Sequence, residues 1–299
     1  MKEKKEKKVK AKEKTKPKKD EKELEPQYYR SVTGDQTLNY HVYYMSKLEK
    51  ILYFLLAFCA GMAIGYLFYG GIGKDEYGEP TTVTYILNTV IMVGCGTLAG
   101  KLFLPIRNQQ ILESRKNKLK NQFRDMLEAL QTSLGSGKNI PDSFQSAYVD
   151  MMNQYEDGAF IINELRVINN GIANGINIEE MIADFGRRSG CMDIEDFAGV
   201  FEVCYRRGGN IRETIQNTCH IIIDKMMVAQ EIETTVTGSK NEQYVMLLLP
   251  ILLVGMIKSS SPDFAANFVT PTGLISTTIA IAFFIASYFV GKKLLDIKV

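Results

Sequence analysis

Two histidines, His41 and His220, and five cysteines are all that 299 residues offer to a transition metal. No ligand cluster forms around either histidine and no C-x-x-C pair occurs, which argues against a zinc site. Cys59 and Cys95 lie inside apolar stretches, and Cys191, Cys204 and Cys219 follow at spacings of 13 and 15, so all five read as small packing residues and not as a disulfide framework. The chain also lacks G-x-x-x-x-G-K-[ST] and G-x-G-x-x-G, the spacings by which glycine-rich loops cradle phosphates. No catalytic residue, metal or cofactor is expected. Nor does the apolar part of the chain contain the run of Asp, Glu and His that marks an ion pathway.

Net charge is nearly absent as well, 36 Lys and Arg against 34 Asp and Glu, but the balance conceals an asymmetry. Residues 1–25 hold 12 Lys against 7 Asp and Glu and almost no large apolar side chain. Such a segment cannot bury enough surface to offset its ordering entropy, so residues 1–27 read as a disordered cytoplasmic tail. No aromatic residue interleaves with its lysines, which disfavours nucleic acid as a partner and leaves solvation or anionic membrane lipids.

What the chain does have is long apolar runs. Residues 51–72 (ILYFLLAFCAGMAIGYLFYGGI) carry no charge and are long enough to cross a bilayer. Residues 82–106 form a second span interrupted only by Lys101, and 244–258 and 273–291 form a third and fourth. A cleaved signal peptide does not fit the first run, because about 50 charged and polar residues precede it and another span follows. Lys and Arg number 15 in residues 1–50, 15 in 107–243 and 3 in 292–299, against one each in the connectors 73–81 and 258–273. The positive-inside rule then places both termini, the juxtamembrane segment 28–50 and the central segment 107–243 in the cytoplasm.

The central segment repeats apolar residues three and four apart, as in Leu119, Phe123, Met126, Leu130 and Leu134. That spacing predicts an all-α fold, a cytoplasmic six-helix bundle with helices near 113–136, 140–156, 159–173, 178–188, 193–207 and 210–236. A signature recurs on top of it: GKNIPDSF from Gly137, GINIEEMI from Gly175 and GGNIRETI from Gly208, at offsets of 38 and 33 residues. Glycine (Gly137, Gly175, and Gly208 with Gly209) can end one helix in the left-handed region. Asn139, Asn177 and Asn210 can then cap the next, and Asp142, Glu180 and Glu213 fall at N3, where a carboxylate favours the positive helix end. Three tight helix corners are expected. Arg187, Arg188, Arg206 and Arg207 lie at helix C-termini, where they complement the dipole and are candidates to meet an acidic patch on a partner.

The spans carry packing marks of their own. Gly61 and Gly65 form a G-x-x-x-G pair in the first, Gly96 and Gly100 another in the second, and Ala282 and Ala286 a small-residue pair in the fourth. Lys101 lies near the cytoplasmic end of its span and should snorkel to the headgroups, while Pro250 should kink the third span.

Two spans, a helical domain containing TSLGSGKNIPDSFQSA and RRGGNIRETIQN, a third span, an outer loop with SSSPDF and TPTG, and a last span ending GKKLLDIKV resemble the type II secretion system F family. Within it the chain is most similar to the TadB-like platform proteins of tight-adherence pili, over residues 40–299. The resemblance implies a non-enzymatic inner-membrane platform that couples a cytosolic hexameric secretion ATPase to extraction and assembly of pilin subunits. It also implies a sister platform protein (TadC-like) or a second copy as partner, because the chain has one such cytoplasmic domain where larger members have two. A small transporter or channel is the alternative, supported only by Asn88, several threonines and Lys101, and a membrane-anchored nucleotide sensor is disfavoured by the missing loop spacings.

Overall fold

The computed structural model describes residues 25–73, 79–207 and 210–295; most of the Lys-rich tail, part of the first connector, Gly208, Gly209 and the last four residues lie outside the described residues. Within them the chain is all-helical apart from one short hairpin, with nine helices, four of them long and apolar enough to cross a membrane.

The chain enters through two antiparallel strands, β1 (Tyr28–Arg30) and β2 (Gln36–Leu38), in the register Tyr28 to Leu38 and Arg30 to Gln36. Their turn is closed by Gly34 at φ +87° and by Ser31 N–H donating to the Asp35 carbonyl at 2.8 Å. Sequence periodicity gave no sign of this hairpin, since each strand has only three residues. The first membrane helix, α1 (Lys47–Tyr69), starts and ends a few residues before the expected 51–72. A capping box moves its start: Ser46 Oγ accepts from Glu49 N–H at 3.2 Å and Glu49 returns a carboxylate to Ser46 N–H at 2.8 Å. Its end comes early because Gly71 and Gly73 take φ +100° and +83°.

The larger departure concerns α2 and α7. Instead of a span at 82–106 and a separate helix from 113, α2 runs unbroken from Thr82 to Gly135, 54 residues and about 81 Å. Likewise α7 runs from Ile211 to Ser260, merging the last bundle helix with the third span in 50 residues, about 75 Å. Neither junction contains a strong stop signal. Residues 107–118 (RNQQILESRKNK) have no Gly or Pro, and Gln109 pairs with Glu113 one turn on at 3.0 Å. Gly238 in α7 costs about 1 kcal/mol relative to Ala, too little to break a helix anchored at both ends. Pro250 is held inside the continuous helix, as is Pro105 in α2.

Between these long helices lie α3 (Ile140–Gln154), α4 (Phe160–Ala173), α5 (Ile178–Ser189) and α6 (Met192–Arg207), while α8 (Pro262–Asn267) and α9 (Pro271–Leu295) follow α7. The membrane-distal halves of α2 and α7 and the four shorter helices enclose one core. Its centre is a chain of edge-on and tilted rings: Phe123 to Phe197 at 5.6 Å, Phe197 to Phe201 at 5.8 Å and Phe201 to Phe144 at 6.0 Å. All four are fully buried, and each contributes about 2–3 kcal/mol of apolar transfer.

Candidate functional site: the bundle, its corners and its attachment to the membrane helices

The corners begin with glycine. After α2, Gly137 sits at φ +92° and its N–H returns to the Leu134 carbonyl at 3.1 Å. After α4, Gly175 at φ +74° closes a Schellman motif, with Gly175 N–H on the Ile172 carbonyl at 3.0 Å and Ile176 N–H on the Gly171 carbonyl at 2.9 Å. Gly208 and Gly209 lie outside the described residues. The sequence signature did not include a further left-handed glycine, Gly190 at φ +59°, which ends α5.

The asparagines differ among themselves. Asn139 Oδ1 accepts from Asp142 N–H at 2.8 Å, and Asn210 Oδ1 from Glu213 N–H at 3.4 Å. Asn177 departs from the expected cap: it stands at the N-cap position of α5, but its side chain accepts nothing and instead donates Nδ2 to Glu180 Oε1 at 3.1 Å. The isoleucines that follow the asparagines, Ile140, Ile178 and Ile211, pack on the core one turn before buried Phe144, Ile182 and Ile215.

The arginine pairs separate on burial. Arg187 is 68% exposed, 3.7 Å from Asp184, and Arg206 is 63% exposed, 3.0 Å from Glu202; the Arg207 side chain lies outside the described residues. Arg188 is corrected as a partner-facing residue. Its side chain is 5% exposed and its fork grips Glu164, itself 3% exposed, through Nη2 to Oε2 at 2.7 Å and Nη1 to Oε1 at 3.0 Å. Nε donates to Asp184 at 2.8 Å and Nη1 also reaches the Leu38 carbonyl at 3.1 Å, leaving little to offer a partner.

That last bond shows what the arginine is for. Residues 25–45 form a strap laid across α4 and α5. Tyr40 is buried with its hydroxyl donating to Glu164 Oε1 at 3.0 Å, its N–H donating to the Arg188 carbonyl at 2.9 Å, and its ring edge-on to Phe160 at 5.6 Å. Burial, then the Glu164 charge, push the Tyr40 phenol well above its ordinary pKa. Farther along, Tyr43 lies under the Arg115 guanidinium of α2 at 4.0 Å and donates to Glu49 at 3.1 Å, which carries the strap into α1. The only sequence signal was the isolated aromatic cluster Tyr40, Tyr43 and Tyr44 before the first span.

A second polar tie closes the bundle near α7. Asp193 at the start of α6 bridges Lys120 of α2 at 3.0 Å and Lys225 of α7 at 2.8 Å. Burial acts to raise the Asp193 pKa, but hydrogen bonds from Lys225 and Lys120 outweigh it and hold the carboxyl below its usual range.

In the membrane region the two glycine pairs face each other. A Cβ on Gly61 would come within 2.7 Å of Ala99 Cβ and 2.9 Å of the Cys95 carbonyl, and one on Gly100 within 2.5 Å of the Phe54 ring. A Cβ on Gly65 would come within 3.0 Å of Cys95 and one on Gly96 within 2.8 Å of Phe58, so α1 and α2 approach backbone to backbone at Gly61 and seat side chains over the other three glycines. Lys101 is exposed on α2, and Ala282 and Ala286 are exposed on α9. At the far end, Lys258 of α7 donates to the Leu67 carbonyl at 2.8 Å and the Gly70 carbonyl at 3.3 Å, fastening α7 to the end of α1. Pro250 lines an apolar cavity of about 540 Å³ between α1, α7 and α9. None of the most apolar stretch of α7 is buried within the chain. Comparison with protein-family models, with curated proteins and with solved structures found no match.

Proposed function

We propose that this protein is an inner-membrane platform of the type II secretion F kind, similar to the TadB-like subunits of tight-adherence pili. In that role the cytoplasmic bundle receives movement from a cytosolic hexameric ATPase and the spans pass it to pilin subunits being extracted and assembled. The observation that carries the reading is the continuity of α2 and α7, which run from the bundle into the apolar region as unbroken helices. Such rods transmit displacement where a flexible linker would absorb it. The strap around Tyr40 adds a third attachment, to α1. The unburied apolar surfaces of α7 and α9 are available to a sister platform protein, a second copy or lipid. Arg187 and Arg206 remain the exposed basic candidates for the ATPase or another partner.

The test is co-purification of the detergent-solubilised full chain with a secretion ATPase and a sister platform protein from cells that assemble such pili. Orientation is tested with Glu79→Cys, expected to react with a membrane-impermeant thiol reagent from outside, and Asn174→Cys, expected to react only once the membrane is opened. Tight ATP binding by the purified chain, or the reverse labelling pattern, would sink the reading.

A further inference from the structure

We propose that Arg107 is the centre of a binding site for the phosphate of an anionic membrane lipid. The apolar run of α2 ends at Ile106, so Arg107 stands where a span meets the headgroups. Its guanidinium lies over the Tyr53 ring of α1 at 5.1 Å, with Nη2 3.5 Å from the Tyr53 hydroxyl and Nη1 3.3 Å from Gln110 Oε1. Both of these hydrogen-bond partners are neutral and both bonds are long. Three N–H donors are left, and the one on Nε is buried without any partner. A guanidinium held on a ring face with donors unfilled is organised for a tetrahedral anion, whose oxygens accept several N–H bonds at once.

The surroundings agree in charge. Tyr53 packs against Phe103 at 6.5 Å, which brings the start of α1 level with Arg107; Lys47 and Lys50 are exposed there, and Lys101 is exposed on α2. The neighbouring carboxylates are occupied: Glu49 by Ser46 N–H and the Tyr43 hydroxyl, Glu113 by Gln109. These bonds leave Glu49 and Glu113 charged, but Lys47, Lys50, Lys101 and Arg107 outnumber them, so the net field is positive and favours a headgroup whose phosphate is not neutralised by a choline or ethanolamine. Location at the end of an apolar helix pair selects a lipid over free phosphate. The proposal needs only that α1 and α2 span a membrane and is independent of the platform reading.

Full-length protein reconstituted in vesicles of phosphatidylglycerol mixed with phosphatidylcholine, then gently extracted, should retain phosphatidylglycerol preferentially when retained lipid is counted by native mass spectrometry. Arg107→Gln should lower that preference about tenfold, the loss expected for a charge-assisted bond. Lys118→Gln removes the same charge about 16 Å farther along α2, beyond a Debye length, and should leave it unchanged. Equal retention by the Arg107 variant and the parent would overturn the site, and equal losses in both variants would reduce it to a diffuse field. Inorganic phosphate bound by lipid-stripped protein with the same dependence on Arg107 would overturn the assignment to lipid. Near-ultraviolet dichroism of each variant separates these results from misfolding.

Discussion

At the scale of single residues, the strongest commitment of the bundle is the buried Glu164 and Arg188 pair. Desolvating two charges is expensive, and the pair tolerates it because the fork is bidentate and Tyr40, Asp184 and the Leu38 carbonyl fill the remaining sites. Removing one member strands the other, so Glu164→Ala should cost roughly 3–5 kcal/mol in denaturant unfolding of the solubilised chain. Glu164→Leu combined with Arg188→Met should cost much less than the two changes summed; additive losses would show that the groups do not act as a pair. A second residue gives a pH signature. Burial pushes the Cys219 thiol up to about 12, whereas an unfolded cysteine ionises near pH 8.5. The folded state keeps a proton that the unfolded state has lost, so this contribution is full below about pH 8.5 and declines toward pH 12, by up to about 1.4 kcal/mol per pH unit. Tyr155, raised to about 12 by burial and by Asp125, adds a decline of the same sign only above about pH 10. Cys219→Ala should therefore flatten the loss of stability between about pH 8.5 and 10, and an unaltered slope would assign it elsewhere.

At the scale of elements, three matching corners in the sequence need not be three equal corners in energy. Asn139 accepts a short bond from the Asp142 N–H, whereas the Asn177 side chain caps nothing and only pairs with Glu180. Asn139→Ala should thus cost about 1 kcal/mol and Asn177→Ala a few tenths, read from paired melting curves, and equal losses would mean that the side chains do not set the corner energies. This is also where the reach of the sequence is visible. The apolar spacing of Leu119, Phe123 and Met126 and the glycines before each asparagine are local signals, decided within one or two helical turns, and they locate the helices of the bundle closely. The merging of span and bundle helix in α2 and α7 was harder to read, because a polar stretch between two apolar patterns looks like a linker unless one asks whether anything in it stops a helix. The hairpin left no trace in the sequence and the strap only its cluster of tyrosines: three-residue strands have no period, and the contacts of Tyr40 with Glu164 and of Leu38 with Arg188 span 124 and 150 residues. Arg188 was misassigned for the same reason, since a basic pair at a helix end carries no mark of which member turns inward.

At the scale of the molecule, the bundle joins the membrane helices covalently through α2 and α7, and a third path runs through the strap, which is continuous with α1 and docks on the bundle by the contacts of Tyr40 and Leu38. If the chain acts, as proposed, as a platform that passes movement along them, what matters is stiffness at the neck, where α2 leaves the apolar region between Arg107 and Arg115. Replacing Gln109 and Gln110 together by glycine costs about 2 kcal/mol of local helix and softens the rod, while replacing both by alanine leaves it stiff. Both pairs remove the Gln109 contact with Glu113 and the Gln110 contact with Arg107, so the difference between them isolates the backbone. The glycine pair should leave the bundle folded, the chain in the membrane and the ATPase still co-purifying, yet abolish pilus assembly; the alanine pair should support it. Full assembly by the glycine pair would mean that α2 is only a tether, and the burden of transmission would then pass to α7 or to the strap that Tyr40 anchors.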